Sequence, residues 1–64
     1  MRLTVNGELR EAAEGTTLSA LVSVLGFRRE TLVAEVNRTI VPREKDPVLA
    51  DGDKIELIQF VGGG

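Results

Sequence analysis

The sequence predicts an α+β fold: a mixed sheet of four to five strands with one main helix packed on one face. Three observations carry that expectation. Polar and apolar residues alternate through Arg2–Val5, Leu32–Asn37 and Lys54–Leu57, the period of half-buried strands. Between the first two of these, Leu18, Leu21, Val22 and Leu25 recur at i, i+3, i+4 and i+7 and make one apolar helical stripe. A short helix with a single apolar face needs a sheet to lie on. Asn6-Gly7 follows the first strand and supplies the two positive-φ positions of a type I′ hairpin turn.

The elements follow in order. Leu3 and Val5 share one face of the first strand, and Arg2 and Thr4 the other. Glu8 to Ala12 returns as a weaker strand with Leu9 as its main apolar residue. Thr16 or Thr17 caps the helix, its hydroxyl accepting from an otherwise unpaired backbone N–H. Gly26 stands where a left-handed residue closes a helix, and Phe27 after it folds back on the last turn, which predicts roughly eight to ten helical residues. Arg28-Arg29 reads as a solvated charged turn. Leu32, Ala34 and Val36 share one face of the third strand, and Val33, Glu35 and Asn37 the other. Asn37-Arg38-Thr39 is a tight turn, and Ile40-Val41 a short extended piece ended by Pro42, which cannot donate to a ladder. Arg43 to Ala50 is expected to be a loop holding one helical turn. Asp51-Gly52-Asp53 pairs two acids, but Asp and Gly are the usual turn formers, so a turn is expected there rather than metal or acid–base chemistry.

The last strand, from Lys54 to Val61, changes polarity along its length. Ile55 and Leu57 alternate with Lys54 and Glu56; then Gln59 falls on the apolar phase, while Ile58 and Phe60 fall on the phase of Glu56. Two large apolar side chains are thus expected to face solvent, and an exposed apolar patch on a small chain points to a partner. The alternative is a bulge that brings Ile58 into the core. Placing this strand between the first and the third, with the helix across one face, gives a β-grasp arrangement. It also makes Val33 a neighbour of Ile58, so the expected docking residues are Ile58, Phe60, Val61 and Val33.

Composition narrows the function. The 64 residues carry no cysteine and no histidine, which removes the thiolate and the commonest general base and metal ligand. A chain this short buries roughly 60% of its unfolded surface, leaving little room for a closed catalytic cavity. The charge is −2 with two aromatic residues, Phe27 and Phe60, and no basic stripe or stacking platform for nucleic acid is present. No apolar run is long enough for a membrane span, and the first residues lack the apolar stretch of a signal peptide. The expectations are a chain that is not itself an enzyme, binds no nucleic acid, membrane, metal or resident cofactor, is monomeric when free, and is cytoplasmic.

The chain closes on Gly62-Gly63-Gly64. Glycine threads narrow channels because it lacks a β-carbon, and four extended residues from Val61 reach about 14 Å. Residues 1–61 are expected to be the folded domain and 62–64 a flexible tail that offers the Gly64 carboxylate to another protein's active site. A frayed terminus or a glycine-rich scar are the alternatives from the tail alone.

Taken together, these residues resemble the ubiquitin-like sulfur carriers of thiamin biosynthesis. The resemblance rests on Asn6-Gly7, Thr16-Thr17-Leu18, Val36-Asn37, Ile40-Val41-Pro42-Arg43, Asp51-Gly52-Asp53-Lys54-Ile55 and the terminal Gly63-Gly64. It implies that an adenylyltransferase of the ThiF type uses ATP to adenylate the carboxylate of Gly64. A persulfide donor then converts the adenylate to a thiocarboxylate, and a thiazole synthase of the ThiG type takes the sulfur. In that scheme Gly62 and Gly63 thread the partner's site, and the partners supply every catalytic group. Three terminal glycines, one more than the shared diglycine, lengthen the tail. The small subunit of molybdopterin synthase, a carrier for tRNA thiolation and a ubiquitin-like protein modifier share the tail chemistry and remain alternatives. The short chain favours the thiamin branch over the molybdopterin one. Arg43 reads as an exposed arginine or a partner contact.

Overall fold

The computed structural model describes residues 1–60. Val61, Gly62, Gly63 and Gly64, with the docking and tail roles expected of them, therefore lie outside the described residues. Five strands, β1 (Arg2–Val5), β2 (Glu8–Glu11), β3 (Leu32–Val36), β4 (Thr39–Val41) and β5 (Lys54–Gln59), form one sheet in the order β2-β1-β5-β3-β4. β1 and β5 run parallel and the other pairs antiparallel. The helix α1 (Leu18–Val24) lies on one face. Leu18, Leu21 and Val22 meet Leu3, Val5, Leu32, Ala34, Ile55 and Leu57 there in a single buried core. The β-grasp arrangement expected from the strand periods is the one observed, with the last strand central.

Both ends of α1 follow the sequence signals. Thr17 is the N-cap, and its hydroxyl accepts from the Ala20 amide at 3.2 Å. At the other end the amides of Gly26 and Phe27 donate to the carbonyls of Ser23 and Val22, each at 3.0 Å. This pair of bonds is a Schellman closure, with Gly26 at φ +85°. It stops the helix at seven residues, shorter than the eight to ten expected, because Leu25 is already the C-cap.

The segment before β5 departs most from expectation. No helical turn forms between Arg43 and Ala50; the short 3-10 turn of the chain is Arg29–Thr31, just before β3. Residues 46–49 instead run along the start of α1. Leu18 donates to Pro47 O at 3.0 Å, Leu49 donates to Thr16 O at 2.9 Å, and Asp46 Oδ1 accepts from the Ser19 amide at 2.8 Å. Leu49 becomes a core residue in consequence. The pairing of a loop with a helix start depends on groups nearly thirty positions apart, which local periodicity does not register.

Arg29 corrects a second expectation. Arg28 is exposed, but Arg29 is not a solvated charge. Its guanidinium reaches the carbonyls of Val41, Pro42 and Lys45 at 3.4, 3.1 and 3.4 Å and holds the loop after β4 against the turn that leads into β3.

Candidate functional site

The two hairpins determine how β5 is held. Asn6-Gly7 and Asn37-Arg38 all have positive φ, at 49°, 84°, 52° and 70°, as type I′ turns require. Each turn also spends its asparagine side chain on β5. Asn6 Oδ1 accepts from the Leu57 amide at 2.8 Å, and Asn6 Nδ2 donates to the Leu57 carbonyl at 3.3 Å. β1 ends before it can pair with Leu57, so an amide side chain takes the place of the missing backbone. On the opposite flank Asn37 Oδ1 accepts from the Lys54 amide, and Asn37 Nδ2 donates to Asp53 Oδ1, both at 2.9 Å. The sequence marks these residues only as turn formers; their roles toward β5 depend on strand order.

Asp51-Gly52-Asp53 is a turn, as expected. Asp51 Oδ1 accepts from the Arg2 amide at 2.7 Å, and Asp53 Oδ2 accepts from the Ala50 amide at 2.8 Å. Among the described residues no group of three or more acidic side chains is placed to hold a metal ion. The acids organise the turn that feeds β5.

Held in this way, β5 continues past the end of β1 and is paired there with β3 alone. Leu32 stands opposite Gln59 and Val33 opposite Ile58, and the Phe60 amide extends the ladder by donating to Thr31 O at 3.0 Å. Ile55 and Leu57 face the core, while Ile58 and Phe60 face away from α1 and are 51% and 57% exposed. No bulge takes Ile58 inward. Gln59 lies on the core phase yet is exposed. Val33, half-buried, completes a patch across the two strands on the open sheet face. Leu9 and Ile40 are further exposed apolar residues on that face, by register with Thr4 and Glu35. Of the predicted site residues, Val33, Ile58 and Phe60 are brought together at the end of β5, while Val61 and the glycines lie outside the described residues. Arg43 is exposed and lines a small cleft with Arg29, Val33, Ile40 and Pro42.

Among the described residues one titratable group is clearly perturbed, and it lies away from this patch. Asp46 is held below the ordinary carboxylate value first by the Ser19 amide and then by the Ser19 and Thr17 hydroxyls and the positive charge of Arg29. It is a second cap on α1, and its chemistry is structural.

A five-stranded sheet with one covering helix, a central last strand and an apolar patch at the end of that strand defines a ubiquitin-like β-grasp protein. Residues 3–64 match the model of the ThiS family, and the chain belongs to that family. Over its whole length it is 33% identical to the sulfur carrier protein ThiS of Escherichia coli, covering all of that protein as well. It is also 41% identical to a thiazole synthase of Magnetococcus marinus and 39% identical to one of Paramagnetospirillum magneticum. There the whole chain matches only 20% of each protein, so it spans about a fifth of the length of those two relatives. Among solved structures it is similar to the crystal structure of the thiamine biosynthesis protein ThiS from Geobacter metallireducens. The TM-score is 0.75 at 32% identity, with each chain covered completely. No helix among the described residues is long and apolar enough to cross a membrane.

Proposed function

We propose that this chain is a sulfur carrier for the thiazole moiety of thiamin, with the carboxylate of Gly64 as the group that is modified. A ThiF-type adenylyltransferase joins that carboxylate to AMP from ATP and releases pyrophosphate. The outer sulfur of a protein persulfide then displaces AMP at the acyl carbon. Thiol cleavage of the resulting S–S bond leaves the thiocarboxylate, which a ThiG-type thiazole synthase consumes. ATP and the persulfide belong to the partners, and the chain acts as their substrate.

The observation that carries this reading is the likeness to a named sulfur carrier over the full length of both chains. Two thiazole synthases that contain a stretch similar to this chain support the synthase as a partner, because a carrier and its acceptor gain effective concentration when joined. The exposed Val33–Ile58–Phe60 patch supports docking close to where the tail begins. Glycine residues lose much conformational freedom on threading a channel, so affinity has to come from the body of the domain.

The test is the intact mass of the protein expressed in a thiamin-starved host. Replacement of one oxygen by sulfur, lost when Gly64 is deleted, is the expected result. Adducts on lysines of other proteins, with no sulfur gained, would make the chain a modifier instead.

A further inference from the structure

The open sheet face carries a second feature beside the apolar patch. Glu35 on β3 and Glu56 on β5 are register partners, one position along the ladder from Ala34 and Leu57 and two from Val33 and Ile58. Strand alternation puts both carboxylates on the face of Val33, Ile58 and Phe60. Like charges directly opposite each other weaken a strand pair, and these two are at the centre of the sheet.

Glu44, in the loop after β4, has no ion pair among the described residues, but four other glutamates do. Glu11 lies 3.8 Å from Arg2, Glu8 3.8 Å from Arg10, Glu30 3.3 Å from Arg28, and Glu14 3.9 Å from the Met1 ammonium. Among the described residues neither Glu35 nor Glu56 has an ion pair or a side-chain hydrogen bond, although Lys54 follows one row along the same face. The paired charge is thus left open where the apolar patch is also open, and Ile40 borders it on the far side of Glu35.

We propose that this sheet face docks on a partner surface that covers Val33, Ile58 and Phe60 with apolar side chains and brings an arginine or lysine over the Glu35–Glu56 pair. The inference rests on the docking reading of the patch and adds the partner's charge. The apolar contact supplies area, and the acidic pair sets the register: a shift of one row would put the partner's cation over Val33 and Ile58 in one direction and against Lys54 in the other. A guanidinium suits the position because its forked donors serve two carboxylates at once.

The test is steady-state adenylation of the full chain by the ThiF-type adenylyltransferase of its own source organism, monitored through pyrophosphate release. The Glu35→Gln/Glu56→Gln double variant and Phe60→Asp are compared with the unaltered protein at low and high salt. The double variant is expected to raise KM about tenfold at low salt with kcat unchanged and to flatten the salt dependence of KM. Its melting temperature is expected to be equal to or above that of the unaltered chain, which separates lost docking from lost folding. An unchanged KM and salt dependence in the double variant, with KM raised by Phe60→Asp, would overturn the acidic contact and leave the patch standing. If neither variant alters KM, or the unaltered chain is not adenylated, the docking reading fails with it.

Discussion

Val33 on β3 and Ile58 on β5 stand directly opposite each other on the sheet face that α1 does not cover. The two strands are far apart in the chain and meet only because β5 is inserted between β1 and β3. The same insertion places Phe60 beside them, with its amide already bound to Thr31. An apolar surface of this kind would be a solubility cost without a use. Under the proposed function, its position at the exit of β5 is where an enzyme acting on Gly64 would make contact.

Phe60→Asp separates docking from folding. Because the side chain is 57% exposed, the substitution is expected to change unfolding free energy by no more than about 0.5 kcal/mol. Adenylation at limiting carrier concentration should fall severalfold or more. Chemical denaturation and adenylation rates measured on the same preparation decide it. A domain that unfolds would place Phe60 in the core.

Ile55→Ala is expected to do the opposite. Ile55 is fully buried at the centre of the sheet, and truncating such a residue costs about 2–5 kcal/mol. Much of the stability of so small a domain would be lost, visible as a large drop in denaturation midpoint.

Asn6→Ala removes both bonds to Leu57 and puts a β-carbon without a compensating side chain at φ 49°. The expected loss is about 1–3 kcal/mol. Amide exchange should rise first at Leu57, where β1 has no backbone to offer. Equal exchange at Leu57 in both proteins would mean that water replaces the asparagine without loss.

Arg38→Gly should stabilise the protein by about 0.5–1 kcal/mol. Arg38 is at φ 70°, where a β-carbon is strained and glycine is not, as Gly7 illustrates in the equivalent place of the first hairpin. The denaturation midpoint is the measurement.

Asp46 makes stability depend on acid pH. Its folded value lies below the ordinary 3.8, so the unfolded chain takes up the proton more readily. The contribution is fully present above that ordinary value and is lost as the pH falls below it through the folded value. Asp46→Asn should therefore be less stable than the unaltered protein at neutral pH, and the difference should shrink as the pH falls below 3.8. A difference that is constant with pH would assign the effect to hydrogen bonding alone.

Much of this architecture is legible in the chain because it rests on local signals. The alternation of Leu3 with Val5 and of Ile55 with Leu57, the stripe of Leu18, Leu21 and Val22, the Thr17 cap and the Gly26 closure all act within a few residues. The inversion at Ile58 and Phe60 is legible for the same reason, as a break in period. The roles of Arg29, Asp46 and Leu49 are not. Their partners lie across the fold, and a charged or apolar residue in a loop carries no local mark of whether it will find carbonyls, a helix start or a core.

By itself the sequence determined which segments make strands, that a helix opens at Thr16 or Thr17 and closes at Gly26, and that the polarity of β5 inverts at Ile58 and Phe60. Backbone propensity and side-chain period decide these within one element. Only the tertiary structure decided that Glu35 faces Glu56 and that Asn6 and Asn37 clasp β5 from its two sides. These are relations between strands. They arise from a parallel pairing of the first strand with the last, which no local stretch of sequence encodes.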